Sequence, residues 1–208
     1  MPPEFTPVRE GEQIDTQALA GYLRGKLEGV EAGLTVRQFP GGHSNLTYLL
    51  ETGGREYVLR RPPLGPVAPK AHDMAREYNV LRAVHPLFPP APRVFLLCDD
   101  PAVIGAIFFI MERRHGLVLR RELPSQYASD PDFGRCVSEA FVDCLAALHA
   151  VDVNRVMLGK PAGFLERQVS GWAERWQARA NGNASANGPA RPLAHRPPAG
   201  IAAPHAGA

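Results

Sequence analysis

A chain of 208 residues with 23 Lys and Arg against 21 Asp and Glu carries a formal charge of +2, too little to select nucleic acid or an anionic membrane as a partner. Its length admits one sizeable core with appendages. The three cysteines, Cys98, Cys136 and Cys144, are odd in number and lack close-paired spacing, which argues against a disulfide framework and a zinc knuckle and for reduced thiols.

Met1 to Gln13 contains Pro2, Pro3, Glu4, Glu10 and Glu12 and no apolar run, so it does not read as a secretory signal. Residues 1–14 are expected to be disordered. The longest apolar stretch, Ala102 to Met111, is interrupted by Gly105 and is too short to cross a bilayer. A soluble, cytoplasmic location without nucleic-acid or membrane partners is the expectation.

Asp15 or Thr16 caps a helix whose apolar positions Leu19, Tyr22, Leu23 and Leu27 recur at helical spacing, ending near Gly29. Leu34 to Phe39, Leu46 to Glu51 and Tyr57 to Arg61 then read as short strands separated by Pro40-Gly41-Gly42 and Gly53-Gly54, an antiparallel meander. The proline-rich stretch Pro62 to Pro69 breaks the sheet, and Ala71 to Val84 follows as a helix with Met74, Tyr78 and Leu81 on one face. Arg93 to Leu97 and Ile107 to Glu112 are the next strands, with the turn signal Asp99-Asp100-Pro101 near the start of their connection. A long amphipathic helix runs through Phe133, Val137, Phe141, Cys144 and Leu148, capped at Asp130 ahead of Pro131, and Phe164 to Gln177 forms another. From Ala180 the composition turns to Ala, Gly, Pro, Asn and His, which buries too little apolar surface to offset chain entropy.

Three parts of this order carry chemistry. Phe39-Pro40-Gly41-Gly42-His43-Ser44-Asn45 lies between strands, where glycines let backbone N–H groups approach an anion; taken alone, it reads more readily as an ordinary hairpin turn. Arg60 ends a strand and Glu77 lies in the following helix. A strand cation fixed by a helix carboxylate would point at a nucleotide's phosphates, while the bland alternative is two unrelated charges. Phe108 to Glu112, followed by Arg113, Arg114 and His115, is either the strand before a connector that faces an adenine edge or a buried strand with a charged exit.

In sequence, Gly41-Gly42-His43-Ser44-Asn45-Leu46-Thr47-Tyr48, Tyr57 to Pro63, Ala71 to Tyr78, Leu97 to Asp100, Met111-Glu112-Arg113, Leu148 to Asp152 and Gly163 to Val169 together resemble the aminoglycoside phosphotransferase family. The resemblance spans residues 15 to 178 and is closest to the branch related to the kinase-like domain of acyl-CoA dehydrogenase fusion proteins. It implies an α+β, protein-kinase-like fold: an N-lobe of five antiparallel strands plus a helix over 15–113, a connector and the first helices of the C-lobe over 114–178, and a disordered Ala/Gly/Pro-rich tail over 179–208. It also implies ATP, with magnesium, as cofactor and the hydroxyl of a small molecule as acceptor, a hydroxyacyl thioester being the branch's suggestion. Carried over by position, Gly41, Gly42 and Ser44 cover the phosphates, Arg60 is the strand cation and Glu77 its partner, and Met111 and Glu112 border the adenine. Arg60 departs from the family's usual lysine by presenting a planar fork in place of a point charge.

The family's catalytic His-Gly-Asp loop and separate metal-binding Asp find no match. His115-Gly116-Leu117 has the wrong third residue, and His149-Ala150-Val151-Asp152 falls at a helix end, where a capping role is expected. No catalytic or metal-ligating residue is therefore assigned, and the tail is expected to reflect a frameshift or truncation. The alternatives to an ATP-dependent small-molecule kinase are a non-catalytic nucleotide-binding or regulatory module and an inactive truncated product.

Overall fold

The computed structural model describes residues 4–40, 45–63, 73–119, 125–156 and 162–183. Five strands form one antiparallel sheet: β1 (Thr35–Gln38), β2 (Leu46–Thr52), β3 (Arg55–Arg61), β4 (Val94–Cys98) and β5 (Phe108–Glu112), in the order β1-β2-β3-β5-β4. Consecutive strands pair except where the helix α2 (Met74–Val84) intervenes between β3 and β4. The turn joining β2 to β3 is Gly53-Gly54, both residues with φ in the left-handed region, at 54° and 73°, conformations a side chain resists.

Strand alternation gives the sheet two unlike faces. One face, with Leu46, Tyr48, Leu50, Tyr57, Leu59, Phe108 and Ile110, packs on Leu19 and Leu23 of the helix α1 (Thr16–Leu23) and on Leu27 and Val30 beyond it. Each such large side chain contributes about 1.5–3 kcal/mol on burial. Helix α1 starts where expected, the Asp15 carboxylate accepting from the N–H groups of Gln17 and Ala18, but stops at Leu23, before the expected end near Gly29. Gly25, with φ of 72°, turns the chain, and Leu27 reaches the core from a loop.

The N-terminal segment departs from expectation. Thr6 and Gln38 exchange backbone hydrogen bonds of 2.9 and 3.1 Å, extending the sheet beyond β1. The buried Gln38 amide accepts from Arg9 N–H at 2.9 Å and donates to the Glu12 carboxylate at 2.5 Å. The Tyr48 hydroxyl donates to the Glu12 carbonyl at 2.8 Å, and Ile14 joins the core. Residues from Glu4 to Ile14 are thus bound as an edge in place of the expected disorder, because Gln38, Tyr48 and the open edge of β1 supply the partners that local composition does not reveal.

Downstream come α3 (Phe133–His149), α4 (Val153–Val156) and α5 (Phe164–Asn183). Asp132, not Asp130, stands at the N-cap of α3, and the Asp130 carboxylate instead accepts from the Asp132 N–H at 3.0 Å. The chain divides into compact units at Leu158/Gly159, later than the boundary expected after residue 113. The helix α5 belongs to the second unit and continues to Asn183, into the stretch from 179 expected to be disordered; residues 184–208 lie outside the described residues. No helix among the described residues is long and apolar enough to cross a membrane.

Candidate functional site

The second face of the sheet carries the chemistry. Register aligns Leu49, Val58 and Met111 across β2, β3 and β5, and one step along the strands it aligns Thr47, Arg60 and Phe109. In the opposite direction Glu51 faces Glu56. The face therefore grades from an acidic end through an apolar middle to a row holding a guanidinium. Helix α2 lies against the last row, with the Tyr78 ring edge-on to Phe109 at 6.3 Å between centroids.

An open cavity of about 240 Å³ occupies this face, lined by Phe39, Thr47, Val58, Pro92, Met111, Glu112 and Arg114. Its floor is apolar and its rim is charged. Glu112 is immobilised: its carboxylate accepts from Arg93 N–H at 3.0 Å and pairs with Arg114 at 3.0 Å. Arg114 in turn donates to the carbonyls of Pro89 and Ala91 at 2.7 and 3.1 Å. The chain leaving β5 is consequently sewn to the segment before β4, leaving it little freedom to drift from the cavity.

Beside the cavity, Arg60 Nε and Glu77 Oε1 stand 3.1 Å apart, each side chain about one-third exposed at 32% and 31%. The second carboxylate oxygen of Glu77 accepts from the Asn45 amide at 3.3 Å. Local structure places Glu77: the Asp73 carboxylate caps α2 by accepting from Arg76 N–H at 2.9 Å, and Glu77 N–H donates to the Asp73 carbonyl. A carboxylate in this first turn is also favoured by the helix dipole. One anion thus orients both the strand guanidinium and the amide that opens β2.

At the acidic end, Arg37 makes a two-pronged pair with Glu51 at 2.7 and 2.5 Å. Glu56 meets Arg113 at 2.5 Å and His115 at 3.1 Å. The side chain of Arg113 is only 8% exposed and also pairs with Glu4 at 2.7 Å. Farther off, the Gln38 amide, followed by Arg9, holds the Glu12 carboxyl below its usual range.

Of the residues singled out from sequence, Arg60 and Glu77 are brought together, and Met111 and Glu112 line one cavity next to them. Gly41, Gly42 and Ser44 lie outside the described residues. His149 ends α3, and the Asp152 carboxylate accepts from the Asn154 backbone and side chain at 2.9 and 3.0 Å, closing a local turn. Phe39, Asn45, Thr47, Val58 and Arg114 lie within motifs read from the sequence but were given no individual role there. Period-two alternation would have found Val58, which lies two positions before Arg60 on the same face. Among the described residues no His, Cys, Asp and Glu side chains gather in a group able to hold a metal ion.

The description of the phosphotransferase enzyme family matches residues 35–203. Among curated proteins, acyl-CoA dehydrogenase family member 11 of Pongo abelii is 37% identical over 185 residues, covering 86% of this chain and 23% of the relative. Acyl-CoA dehydrogenase family member 10 of Mus musculus is 33% identical, covering 85% and 17% respectively. A crystal structure from Ralstonia eutropha, provisionally described as an aminoglycoside phosphotransferase, superposes with a TM-score of 0.62 at 33% identity, over 80% of this chain and 48% of that one. The chain spans less than a quarter of these curated relatives and about half of the crystallised protein.

Proposed function

Because the chain belongs to the phosphotransferase enzyme family, we propose that it binds ATP with the base in the cavity of Val58 and Met111 and the phosphates toward Arg60, as the donor half of a small-molecule kinase. The observation that supports this reading above others is the Arg60–Glu77 pair beside an apolar cavity on one sheet face. A flat, uncharged base suits a floor of Val58, Met111 and Thr47, and a cavity of about 240 Å³ suits part of a ligand better than a whole one, since complete small-molecule sites run to ~300–1,000 Å³. The phosphates would then extend along the face to the row of Thr47, Arg60 and Phe109.

Arg60 supplies charge and a planar set of donors. Glu77 and Asn45 hold that fork in place, so less side-chain entropy is lost when an anion arrives. Gly41, Gly42 and Ser44 are proposed to close over the phosphates from the turn between β1 and β2. The family's reaction places a phosphoryl group on a hydroxyl, and the names of the curated relatives favour an acyl thioester bearing one; a cytoplasmic location is part of the same proposal.

The sequence contains no His-Gly-Asp loop, and this favours a second reading for the chain by itself, a nucleotide-binding module that does not turn over. Calorimetric titration with ATP, with and without magnesium, followed by an assay for released ADP, tests both. Binding with ADP formation supports the kinase, binding without it supports the module, and a folded chain that binds no ATP refutes the nucleotide reading.

A further inference from the structure

The cavity is flanked by parts of the chain that are not neighbours in the sheet. Phe39 follows β1, whereas Glu112 and Arg114 stand where β5 ends, and β2 and β3 lie between those strands. Phe5 spans this gap on the same face. Its ring meets Phe39 edge-on at 5.1 Å between centroids. The Arg37 guanidinium lies 4.6 Å from its centre and that of Arg113 4.9 Å. Glu4 completes the contact by pairing with Arg113 at 2.7 Å, and the Thr6–Gln38 exchange holds the backbone on β1.

We infer that the N-terminal segment is a positioning element of the nucleotide site, Phe5 and Glu4 clamping Phe39 and the Arg113 connector so that the two flanks of the cavity keep a fixed separation. This rests on the nucleotide reading above. The Arg113 side chain is nearly buried, and its charge is met by Glu4, Glu56 and the face of the Phe5 ring. Removing the ring and its companion acid takes away part of what holds Arg113, and with it the residues on either side, Glu112 and Arg114, that line the cavity. Arg60 itself stands one strand beyond Thr47, the residue that Phe39 meets across β1 and β2, and is paired with Glu77 of α2.

Adenosine should therefore depend on Phe5 and inorganic tripolyphosphate should not, a split that general loss of stability would not produce. The test compares the full chain with Phe5→Ala, Phe5→Tyr and Glu4→Gln by hydrogen exchange without ligand and by titration with ATP, adenosine and tripolyphosphate. Expected in Phe5→Ala are faster exchange at Phe39 and across 112–115, with β2 and β3 unchanged, and about tenfold weaker binding of ATP and adenosine, the scale of lost ring–cation and ring–ring contacts, with tripolyphosphate unaltered. Phe5→Tyr should restore both readouts and Glu4→Gln should show them in weaker form. Unchanged exchange at 112–115 overturns the clamp whatever the ligands do. Faster exchange with adenosine binding intact, or equal losses for adenosine and tripolyphosphate, overturns its role in positioning. A wild-type chain that binds no ATP refutes the nucleotide reading instead, and exchange alone then decides the clamp.

Discussion

Replacing Arg60 with alanine separates its work in folding from its work on a ligand. Both partners of the Arg60–Glu77 pair are about one-third exposed, at 32% and 31%, and pairs so placed contribute at most about 1 kcal/mol to stability. Glu77 keeps the Asn45 amide as a partner after the change. The melting temperature should therefore fall by no more than about 2–4 °C, the shift that 1 kcal/mol produces in a domain of this size. Binding should suffer more, since a hydrogen bond to a charged group contributes roughly 1.5–3 kcal/mol, so ATP affinity should drop about 10- to 150-fold. Adenosine reaches only the cavity of Val58 and Met111 and should bind as before. Calorimetry of ATP and adenosine on wild type and Arg60→Ala, at a temperature where both are folded, measures the difference. Equal losses for the two ligands, or no loss for ATP, would show that Arg60 does not face phosphate.

Three further outcomes follow from packing and ionisation. Gly53→Ala should destabilise by about 3 kcal/mol or more, adding overpacking to left-handed strain, because a Cβ there would lie 2.7 Å from Gly29 Cα; Gly54→Ala, with nothing within 4 Å, should cost only the strain of about 1–2 kcal/mol, and denaturant titration separates the two. The Glu12 carboxyl is held below its ordinary value first by the Gln38 amide and then by Arg9, so the folded state binds fewer protons than the unfolded. Its stabilisation is complete above the ordinary value of 4.5 and is lost as pH falls through the lower folded value; exchange at Thr6 and Gln38 should accelerate in acid, and Glu12→Gln should flatten that dependence. Tyr22 is pushed up to about 12 by its hydrogen bond with Cys98 and by burial, and burial also raises Tyr48 and Tyr57. These rings stay neutral above the ordinary value of 10.0 where the unfolded chain ionises, so stability is intact below that value and declines as pH rises through the folded values; phenolate absorbance followed beside unfolding should show both at once.

What the sequence disclosed depended on whether the controlling contacts were local. Asp15 before Leu19 and Leu23 and Gly53-Gly54 between alternating strands each set an element boundary through neighbours a few positions away, so those limits were legible; the start of α2 expected at Ala71 lies outside the described residues, the helix being described from Met74 behind Asp73, and the cap of α3 fell two positions later than expected. The end of α1 was not legible, since Leu27 keeps the helical spacing yet is buried from a loop. The binding of Glu4 to Ile14 was invisible for a stronger reason: its partners Gln38, Tyr48 and Arg113 lie far along the chain, and proline and acid content describes only the segment itself. The Arg60–Glu77 pair could be read because strand, helix and order of elements were each recognisable. The cavity walls Phe39 and Arg114 could not, because their position depends on the pairing of β1 and β5 through two intervening strands.

Register converts these elements into a site. Two consecutive arginines end β3, and alternation sends them to opposite faces. Arg61 is buried against the core, donating to the Ile104 carbonyl at 3.2 Å and lending its charge to the Glu12 carboxyl, while Arg60 meets Glu77. A slip of one residue would exchange them, taking Val58 from the cavity floor and turning Leu59 toward solvent. The core side forbids this: Tyr48, Leu50, Leu59 and Ile110 are fully buried, and the Gly29–Gly53 approach leaves no room for a different turn. The packing that buries one face is therefore what aims Arg60 from the other, and the guanidinium's direction is a consequence of apolar burial before it is a consequence of its own ion pair.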